Sequence, residues 1–253
     1  MESAEFTVLA ETDDLLVVDK PAGLLVHPTK PDGPRTLWDG LRELLGYEIV
    51  NGGQVSLINR LDRETSGIVL VAKNSMAARK AAMTMEHGRI TKSYLAIVHG
   101  RPCATEFEVD APIIRLGEVA ESPVWLQRAV HPGGAAARTC FRTLSVHRSP
   151  AGVVSLVEAR PITGRTHQIR VHLSHAGFPI LGDKIYGVAP GAYLEFIESG
   201  WTGRLAARLH FRRQALHSAG LAMVWDDERF DWKSPLPVDM AGFLENAELI
   251  SQA

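Results

Sequence analysis

Residues 58–67 read Ile58-Asn59-Arg60-Leu61-Asp62-Arg63-Glu64-Thr65-Ser66-Gly67 and lead into the apolar run Ile68-Val69-Leu70-Val71. The pattern places Asp62 between two arginines, whose positive charges should lower the pKa of its carboxyl and keep it ionised at neutral pH. An ionised carboxylate suits a nucleophile or a base, and guanidinium groups bind phosphate through paired hydrogen bonds. The segment therefore indicates chemistry on a nucleotide, although a salt-bridged surface loop also fits these residues taken alone.

Three further segments, in the same order along the chain, strengthen this interpretation. Together with residues 59–67 they resemble the motifs of the RluA-type family of RNA pseudouridine synthases. Residues 59–67 are similar to the family's His-Arg-Leu-Asp-x-x-Thr-Ser-Gly motif, with Asn59 in place of the histidine. The resemblance spans about residues 12–237, and long motifs in register are more specific than any one of them. The other segments are Asp19-Lys20-Pro21-Ala22-Gly23-Leu24, Lys92-Ser93-Tyr94-Leu95-Ala96-Ile97-Val98-His99-Gly100, and Pro161-Ile162-Thr163-Gly164-Arg165-Thr166-His167-Gln168-Ile169-Arg170-Val171-His172-Leu173 with its continuation Pro179-Ile180-Leu181-Gly182-Asp183.

The resemblance implies a fold and a domain organisation. It predicts one catalytic domain over residues 1–253 with an α+β fold. The expected core is a long, bent, mainly antiparallel sheet flanked by helices, with the active site in a central cleft. Many family members carry an S4-type RNA-binding module at the N-terminus. Because the Lys-Pro-x-Gly segment already begins at Lys20, we expect a stand-alone catalytic domain.

The resemblance also implies an activity and a set of roles. The expected reaction is the isomerisation of uridines in structured ribosomal or transfer RNA to pseudouridine. Asp62 would be the nucleophile, and Arg60 would fill the gap left by the flipped-out nucleotide, because a base cannot rotate while stacked in a helix. Tyr94 would stack on the target base and is a candidate proton acceptor. Arg170 would pair with Asp62, and Arg165 would contact phosphate or support the structure.

This isomerisation needs no redox step, so the resemblance predicts neither a cofactor nor a metal. The sequence has no Gly-x-Gly-x-x-Gly run and no P-loop. One alternative is a metal-dependent hydrolase, but the spacings in the histidine cluster do not fit a His-x-x-x-His pair. Another is an inactive RNA-binding protein of the same fold, which would not need the whole catalytic set. The histidine cluster is His167, His172 and His175, and the catalytic set is Asp62, Tyr94 and Arg170.

Composition and cysteine content indicate the class of protein and the compartment in which it is expected to work. The chain of 253 residues has 45% hydrophobic and 22% charged residues, as a soluble globular enzyme does. No apolar stretch approaches the ~20 residues that span a bilayer. The two cysteines, Cys103 and Cys140, have no paired or metal-binding spacing, which favours the reducing cytoplasm. We expect a monomer that is not attached to a membrane.

A net charge of −2 excludes RNA binding through bulk charge, so the arginines must act locally. If residues 203–213 are helical, three arginines at a spacing of four form a basic stripe. An RNA-facing stripe and an ordinary solvated helix face fit this pattern equally well. The three arginines are Arg204, Arg208 and Arg212.

Hydrophobic patterning and capping residues predict the elements that carry these motifs. Strands are predicted at 15–18, 23–26, 67–72, 94–98, 153–159 and 216–225. Helices are predicted at 36–45, with Thr36 as N-cap and Trp38, Leu41, Leu44 and Leu45 on one face, at 75–87 and at 166–176. In the last helix Ile169, His172, Leu173 and Ala176 share a face, which predicts a buried, hydrogen-bonded His172 and places Arg170 elsewhere.

Overall fold

A computed structural model describes residues 6–30, 32–189 and 191–252. The chain forms two compact units. The first unit comprises Met1–Lys92 and His217–Pro235, and the second comprises Ser93–Leu216 and Leu236–Ala253. Residues 1–5 and 253, at the ends of the predicted domain, lie outside the described residues, and the single-domain assignment stays a prediction.

The first unit is built on a sheet of mostly antiparallel strands. Its order is β1-β2-β4-β11-β12, and the short β3 also pairs with β4. Only β4 and β11 run parallel, with His217 opposite Ser66 and Ser218 opposite Gly67. A Cβ on Gly67 would lie 2.2 Å from the Ser218 carbonyl oxygen, so this close pairing requires glycine. The strands are β1 Thr7–Glu11, β2 Leu15–Lys20, β3 Ser56–Leu57, β4 Ser66–Ala72, β11 Leu216–Trp225 and β12 Glu228–Lys233.

Three helices accompany this sheet, and capping residues define where two of them begin. Helix α1 has the predicted N-cap Thr36, which forms a capping box with Asp39. Asn74 caps α3 by accepting from the Ala77 N–H. Leu15, Leu70, Ala81 and Trp225 are among the buried side chains that form the core between sheet and helix. The helices are α1 Leu37–Leu44, α2 Gly46–Val50 and α3 Ser75–Glu86.

The second unit has an antiparallel sheet in the order β5-β10-β9-β13, and β6 pairs with the other half of β9. A separate two-stranded hairpin is formed by β7 and β8. Long, alternating strands leave one face apolar and the other charged. The strands are β5 Thr91–His99, β6 Glu106–Asp110, β7 Ile113–Arg115, β8 Arg128–Val130, β9 Arg138–Ser149, β10 Gly152–Pro161 and β13 Glu248–Gln252.

The remaining helices belong to the second unit. They are α4 Gln168–His175, α5 Ala192–Ser199, α6 Gly203–Leu209 and α7 Val238–Glu245, and a 3-10 turn spans Leu116–Glu118. Leu205 and Leu209 of α6 pack with Ala189 and Ala192 in a small separate core. No helix within the described ranges is long and apolar enough to cross a membrane.

The α+β class and the mainly antiparallel pairing are confirmed, and so are five of the six predicted strands. The strand predicted at 23–26 is wrong, because Gly23 has a φ of 92° and the Leu25 and Val26 carbonyls accept from the start of α1 instead. Leu44 is 48% exposed, so the buried face of α1 is formed by Leu37 and Leu41 without it.

The basic stripe predicted for 203–213 is also wrong as a continuous helix face. Helix α6 ends at Leu209, because His210 adopts the left-handed conformation with a φ of 56° and serves as the C-cap. Arg212 therefore lies beyond the helix and does not continue the row of Arg204 and Arg208. Their assignment as RNA contacts stays a prediction.

Candidate active site

The segment 58–65 between β3 and β4 carries Asp62 on a loop that is fixed from both ends. Asn59, which is 8% exposed, uses its side-chain amide to join the loop to β4. Its Nδ2 donates to the Ile68 carbonyl at 3.0 Å, and its Oδ1 accepts from the Leu70 N–H at 2.8 Å. Asp62 is half-buried, and its carbonyl accepts from the Thr65 N–H. The nucleophile candidate thus follows directly after an anchored residue.

Lys20 fixes the other side of the loop. Its side chain is fully buried, and its Nζ donates to the carbonyls of Pro21, Leu24 and Arg63 at 2.8, 2.9 and 3.2 Å. Gly23 adds a backbone bond to the Arg63 carbonyl. The ammonium group therefore joins the Lys-Pro-x-Gly segment to the residue next to Asp62, which explains why the chemistry needs both segments.

The two arginines that flank Asp62 have different surroundings. Arg63 donates from Nε to the Gly23 carbonyl at 3.0 Å, so its guanidinium fastens the loop. Arg60 is exposed, with His27 in its vicinity. Burial lowers the pKa of His27, and the positive charge of Arg60 lowers it further. Burial and the neighbouring guanidinium thus both disfavour a charge on His27, while the Arg60 side chain is exposed.

A series of buried hydrogen bonds stabilises the start of β4. Ser66 Oγ lies 2.9 Å from Nδ1 of His217, whose Nε2 lies 3.4 Å from the Ser234 carbonyl. Ser234 Oγ in turn donates to Asp19 at 2.8 Å. These buried contacts give the Thr-Ser-Gly end of the motif and His217 a structural role.

Tyr94 and Arg170 belong to the second unit. Tyr94 lies on β5, is 8% exposed and stands opposite Ala159 of β10. Directly opposite residues share one face of an antiparallel pair, so the small Ala159 leaves room beside the ring.

Arg170 of α4 forms a bidentate ion pair with Asp183. Its Nε and Nη2 lie 2.7 and 3.0 Å from the two carboxylate oxygens, and both side chains are buried. Burial would raise the pKa of Asp183, but Arg170 and the N–H groups of Ile185 and Tyr186 outweigh it and hold that pKa below its usual range. The pairing of Arg170 with Asp62, which lie in different units, stays a prediction.

Tyr186 connects this ion pair to its neighbours. The Arg170 guanidinium lies 5.0 Å from the centre of its ring. Its hydroxyl accepts from the Arg128 N–H at 2.8 Å and shares a hydrogen bond of 2.8 Å with Nδ1 of His167. His167 itself has a φ of 59° and caps the start of α4.

His172 is buried and hydrogen-bonded, as predicted. Its Nε2 lies 3.0 Å from the Ala111 carbonyl, which can only accept, so Nδ1 accepts from the Thr139 hydroxyl at 2.9 Å. Burial lowers the pKa of His172. With both ring nitrogens engaged, it has no lone pair for a metal, and no three metal-ligating side chains are grouped within the described ranges.

Arg165 lies on an exposed turn whose shape depends on Gln168. The Gln168 side-chain oxygen accepts from the Thr163 hydroxyl and from the Arg165 N–H, at 2.7 and 2.9 Å. Arg165 also donates from Nε to the Ala136 carbonyl at 3.0 Å. This contact supports the structural half of its predicted role, and a phosphate contact stays a prediction.

Arg60 and Asp62 thus belong to the first unit, and Tyr94, Arg165 and Arg170 belong to the second. Four supporting residues were not assigned roles by the sequence, although each lies inside or just after a quoted motif. They are Lys20, Gln168, Asp183 and Tyr186.

Residues 14–175 match the family model for RNA pseudouridylate synthase. The chain belongs to this family, the RluA-type RNA pseudouridine synthases. Members of this family are isomerases, and the comparisons give no support for a hydrolase or an inactive binding protein.

Individual relatives agree with this membership. An uncharacterized RNA pseudouridine synthase of Chloroflexus aurantiacus is 38% identical over 88% of this chain and 63% of its own length. Ribosomal large subunit pseudouridine synthase D of Yersinia pestis is 35% identical over 92% of this chain and 68% of its own. The chain therefore spans roughly two thirds of these relatives' lengths.

The same fold occurs in a human structure. Human RNA Pseudouridylate Synthase Domain Containing 1 has a TM-score of 0.73 at 24% identity, covering 100% of this chain and 92% of that one. The fold is therefore the pseudouridine synthase fold.

Proposed function

We propose that this synthase converts uridine to pseudouridine in ribosomal RNA, with Asp62 as the nucleophile. The observation that carries the proposal is the loop 58–65, on which Asn59 and Lys20 fix the backbone on either side of Asp62. A catalytic group needs a backbone that holds it in place. A surface salt-bridge loop would not need a buried lysine with three carbonyl partners.

The proposed reaction rearranges one bond within the substrate. The bond between N1 of uracil and C1′ of ribose breaks as the Asp62 carboxylate attacks or stabilises the electron-poor C1′. The base rotates, C5 bonds to C1′, the proton on C5 leaves and N1 regains a proton. Substrate and product are isomers, so electrons and atoms balance without a co-reactant.

The other predicted roles fit this sequence of steps. The exposed Arg60 would occupy the space left by the flipped nucleotide. Tyr94 would stack on the uracil and accept the proton from C5. Arg170, oriented by Asp183, would hold the Asp62 carboxylate ionised during the attack.

The choice of ribosomal RNA rests on relatives such as the Yersinia pestis protein, whose name specifies the large ribosomal subunit. We propose that the protein works as a monomer in the cytoplasm. Two free cysteines fit a reducing compartment, and the site residues named here all come from one chain.

Replacing Asp62 by Asn tests the proposal. The change removes the charge and keeps the shape, so pseudouridine formation should fall by more than about 10³-fold while the fold persists. Chemical mapping of pseudouridine in large-subunit ribosomal RNA and in transfer RNA, both transcribed in vitro, measures it. Asp13→Asn is the control, because Asp13 is an exposed acid on the turn between β1 and β2.

Measurable turnover by a folded Asp62→Asn protein would overturn the assignment of the nucleophile. Modification of transfer RNA alone would overturn the choice of ribosomal RNA and leave the chemistry intact.

A further inference from the structure

The β7–β8 hairpin of the second unit combines features that neither its fold nor the proposed chemistry requires. Arg115 and Arg128 stand directly opposite each other at the end of the two strands that the connecting loop joins. Like charges in such a position repel, which destabilises the hairpin. The loop 116–127 follows, so the two guanidinium groups lie where a long connection leaves the sheet.

One nitrogen of the Arg128 guanidinium lacks a hydrogen bond. This nitrogen, Nη1, is buried, and no acceptor among the described residues lies within hydrogen-bond distance of it. A desolvated guanidinium without an acceptor costs free energy, so such groups are usually paired. An anionic ligand would supply the missing acceptor.

Trp125 adds a large aromatic surface at the same place. It is 74% exposed, and the Arg115 guanidinium lies 3.8 Å from its ring centre. Arg115 makes its one described ion pair through Nε, to Glu118 at 3.1 Å. Glu118 and Glu121 are both exposed. The other face of Trp125 is thus available for stacking, and the Nη groups of Arg115 can reach a phosphate.

The base of the hairpin is firmly held. Ile113 packs in a core with Ala137, Val171 and Tyr186. The backbone of Arg128 donates to the Tyr186 hydroxyl, and the Tyr186 ring lies against Arg170. The exposed end of the hairpin is therefore attached to the element that carries a predicted catalytic residue.

We propose that the hairpin binds RNA, with Trp125 stacking on an unpaired base and Arg115 and Arg128 binding the adjoining phosphates. The inference rests on the proposed activity on RNA. Two arginines at directly opposite strand positions suit phosphate, since Glu118 contacts Arg115 only at Nε in its described ion pair, and an exposed indole beside them suits a splayed base. A protein partner would use the indole but would not require two adjacent anion sites.

Binding is measured separately from turnover. The probes are a single-stranded oligouridylate of about twelve nucleotides, within the usual site size, and large-subunit ribosomal RNA transcribed in vitro. Filter binding across a salt series gives Kd and its salt slope, and single-turnover kinetics at saturating RNA give the rate. The variants are Trp125→Ala, Trp125→Phe and Arg115→Gln, with Tyr47→Ala and Arg148→Gln as controls, since both control residues are exposed.

Trp125→Ala should weaken binding to both probes about tenfold, because stacking on an aromatic side chain contributes that order of affinity. Trp125→Phe should restore most of it. Arg115→Gln should lower the salt slope by less than the roughly 0.7 of a full contact to a single strand, because Glu118 already pairs with Arg115. The single-turnover rate and both controls should remain within about twofold of the unmodified protein.

Unchanged affinity and salt slope in Trp125→Ala and Arg115→Gln would overturn the proposal and leave the hairpin as a protein-facing surface. An equal loss of RNA affinity in Tyr47→Ala would also overturn the proposal, because removing any exposed aromatic side chain would then weaken binding. Loss of affinity in a protein that forms no pseudouridine would support the hairpin and refute the activity, so the two failures are distinguishable.

Discussion

Asn59 is the residue at which this chain departs from the usual family motif, and the structure gives it a definite task. Both ends of its amide are bonded to the backbone of β4, one as donor and one as acceptor. A histidine presents a ring N–H and a ring nitrogen in a different geometry. The departure therefore bears on how the Asp62 loop is fastened as well as on substrate positioning.

Asn59→Leu should destabilise the protein. The substitution keeps a similar volume but leaves the buried Leu70 N–H without its side-chain partner and the Ile68 carbonyl with only the 3.4 Å contact from Ser218 Oγ. This should cost about 2–4 kcal/mol in the free energy of unfolding. Urea unfolding measures the change. Asn246→Ala is the control, since the Asn246 amide donates to the Gly242 carbonyl at an exposed site, and it should cost less than about 0.5 kcal/mol. Equal costs for the two variants would contradict the role of Asn59.

The sequence placed Asp62 and Arg170 inside recognisable motifs but revealed few of the residues that contact them. A motif identifies which residue types recur at fixed spacing, and Asp62 lies within a single contiguous motif. Asp183 is separated from Arg170 by a turn of the chain after α4, so only the fold brings the two together. The partners of Lys20 come partly from residue 63, which no local pattern could indicate.

Among the elements, helices with strong capping signals were predicted best. Thr36 and Asn74 begin α1 and α3, and Gly88 follows the end of α3 with a φ of 67°. Strand β9 was missed because two of its buried positions carry the polar residues Thr139 and Thr143, which hide the alternation in the sequence. The early end of α6 was missed because a histidine rather than a glycine adopts the left-handed conformation there.

The contact between α4 and the turn at Asp183 predicts a pH dependence. The pKa of Asp183 is lower in the folded protein than in the unfolded chain, where it is about 3.9. Its contribution to stability is therefore complete above that value and is lost as pH falls through the folded pKa. Asp183→Asn removes the charge and breaks the buried bidentate ion pair with Arg170, which at pH 7 should cost about 3–5 kcal/mol in the free energy of unfolding.

The difference in unfolding free energy between Asp183→Asn and the unmodified protein should shrink as pH falls below about 4. Urea unfolding at a series of pH values measures it. For Asp13→Asn, at an exposed position, the free energy of unfolding should change with pH in the same way as for the unmodified protein. A difference that stays constant from pH 7 to about pH 3 would mean that the carboxylate charge does not stabilise the fold.

For the whole molecule, the question is how a chain with a net charge of −2 binds RNA. Several arginines that looked available in the sequence are already compensated. Arg213 forms a bidentate pair with Asp239, and Arg208 lies 2.5 Å from Glu195. Arg212 is exposed. Lys184 donates a hydrogen bond to the backbone carbonyl of Arg212 and not to its side chain. Affinity must therefore come from individual unpaired guanidinium groups.

Arg212 and Arg208 should consequently differ as RNA contacts, although the sequence placed them on one stripe. Arg212→Gln should lower the slope of log affinity against log salt by roughly 0.7–0.9, the value for one phosphate contact. Arg208→Gln should change it less, because Glu195 already pairs with that guanidinium and its carboxylate competes with phosphate. Arg204, which is 78% exposed and 3.6 Å from Glu195, should lie between them.

Glu195→Gln tests the same reasoning by changing the acid of the ion pairs instead of the arginines. The substitution removes the negative charge that Arg208 and Arg204 share, so the salt slope should steepen and affinity for ribosomal RNA should rise. Filter binding across a salt series measures all four variants, with Arg148→Gln as the exposed control. Equal slope changes for Arg208→Gln and Arg212→Gln, with none for Glu195→Gln, would show that the ion pairs do not govern RNA binding. The charge of each arginine would then act independently of its neighbours, as the sequence alone had implied.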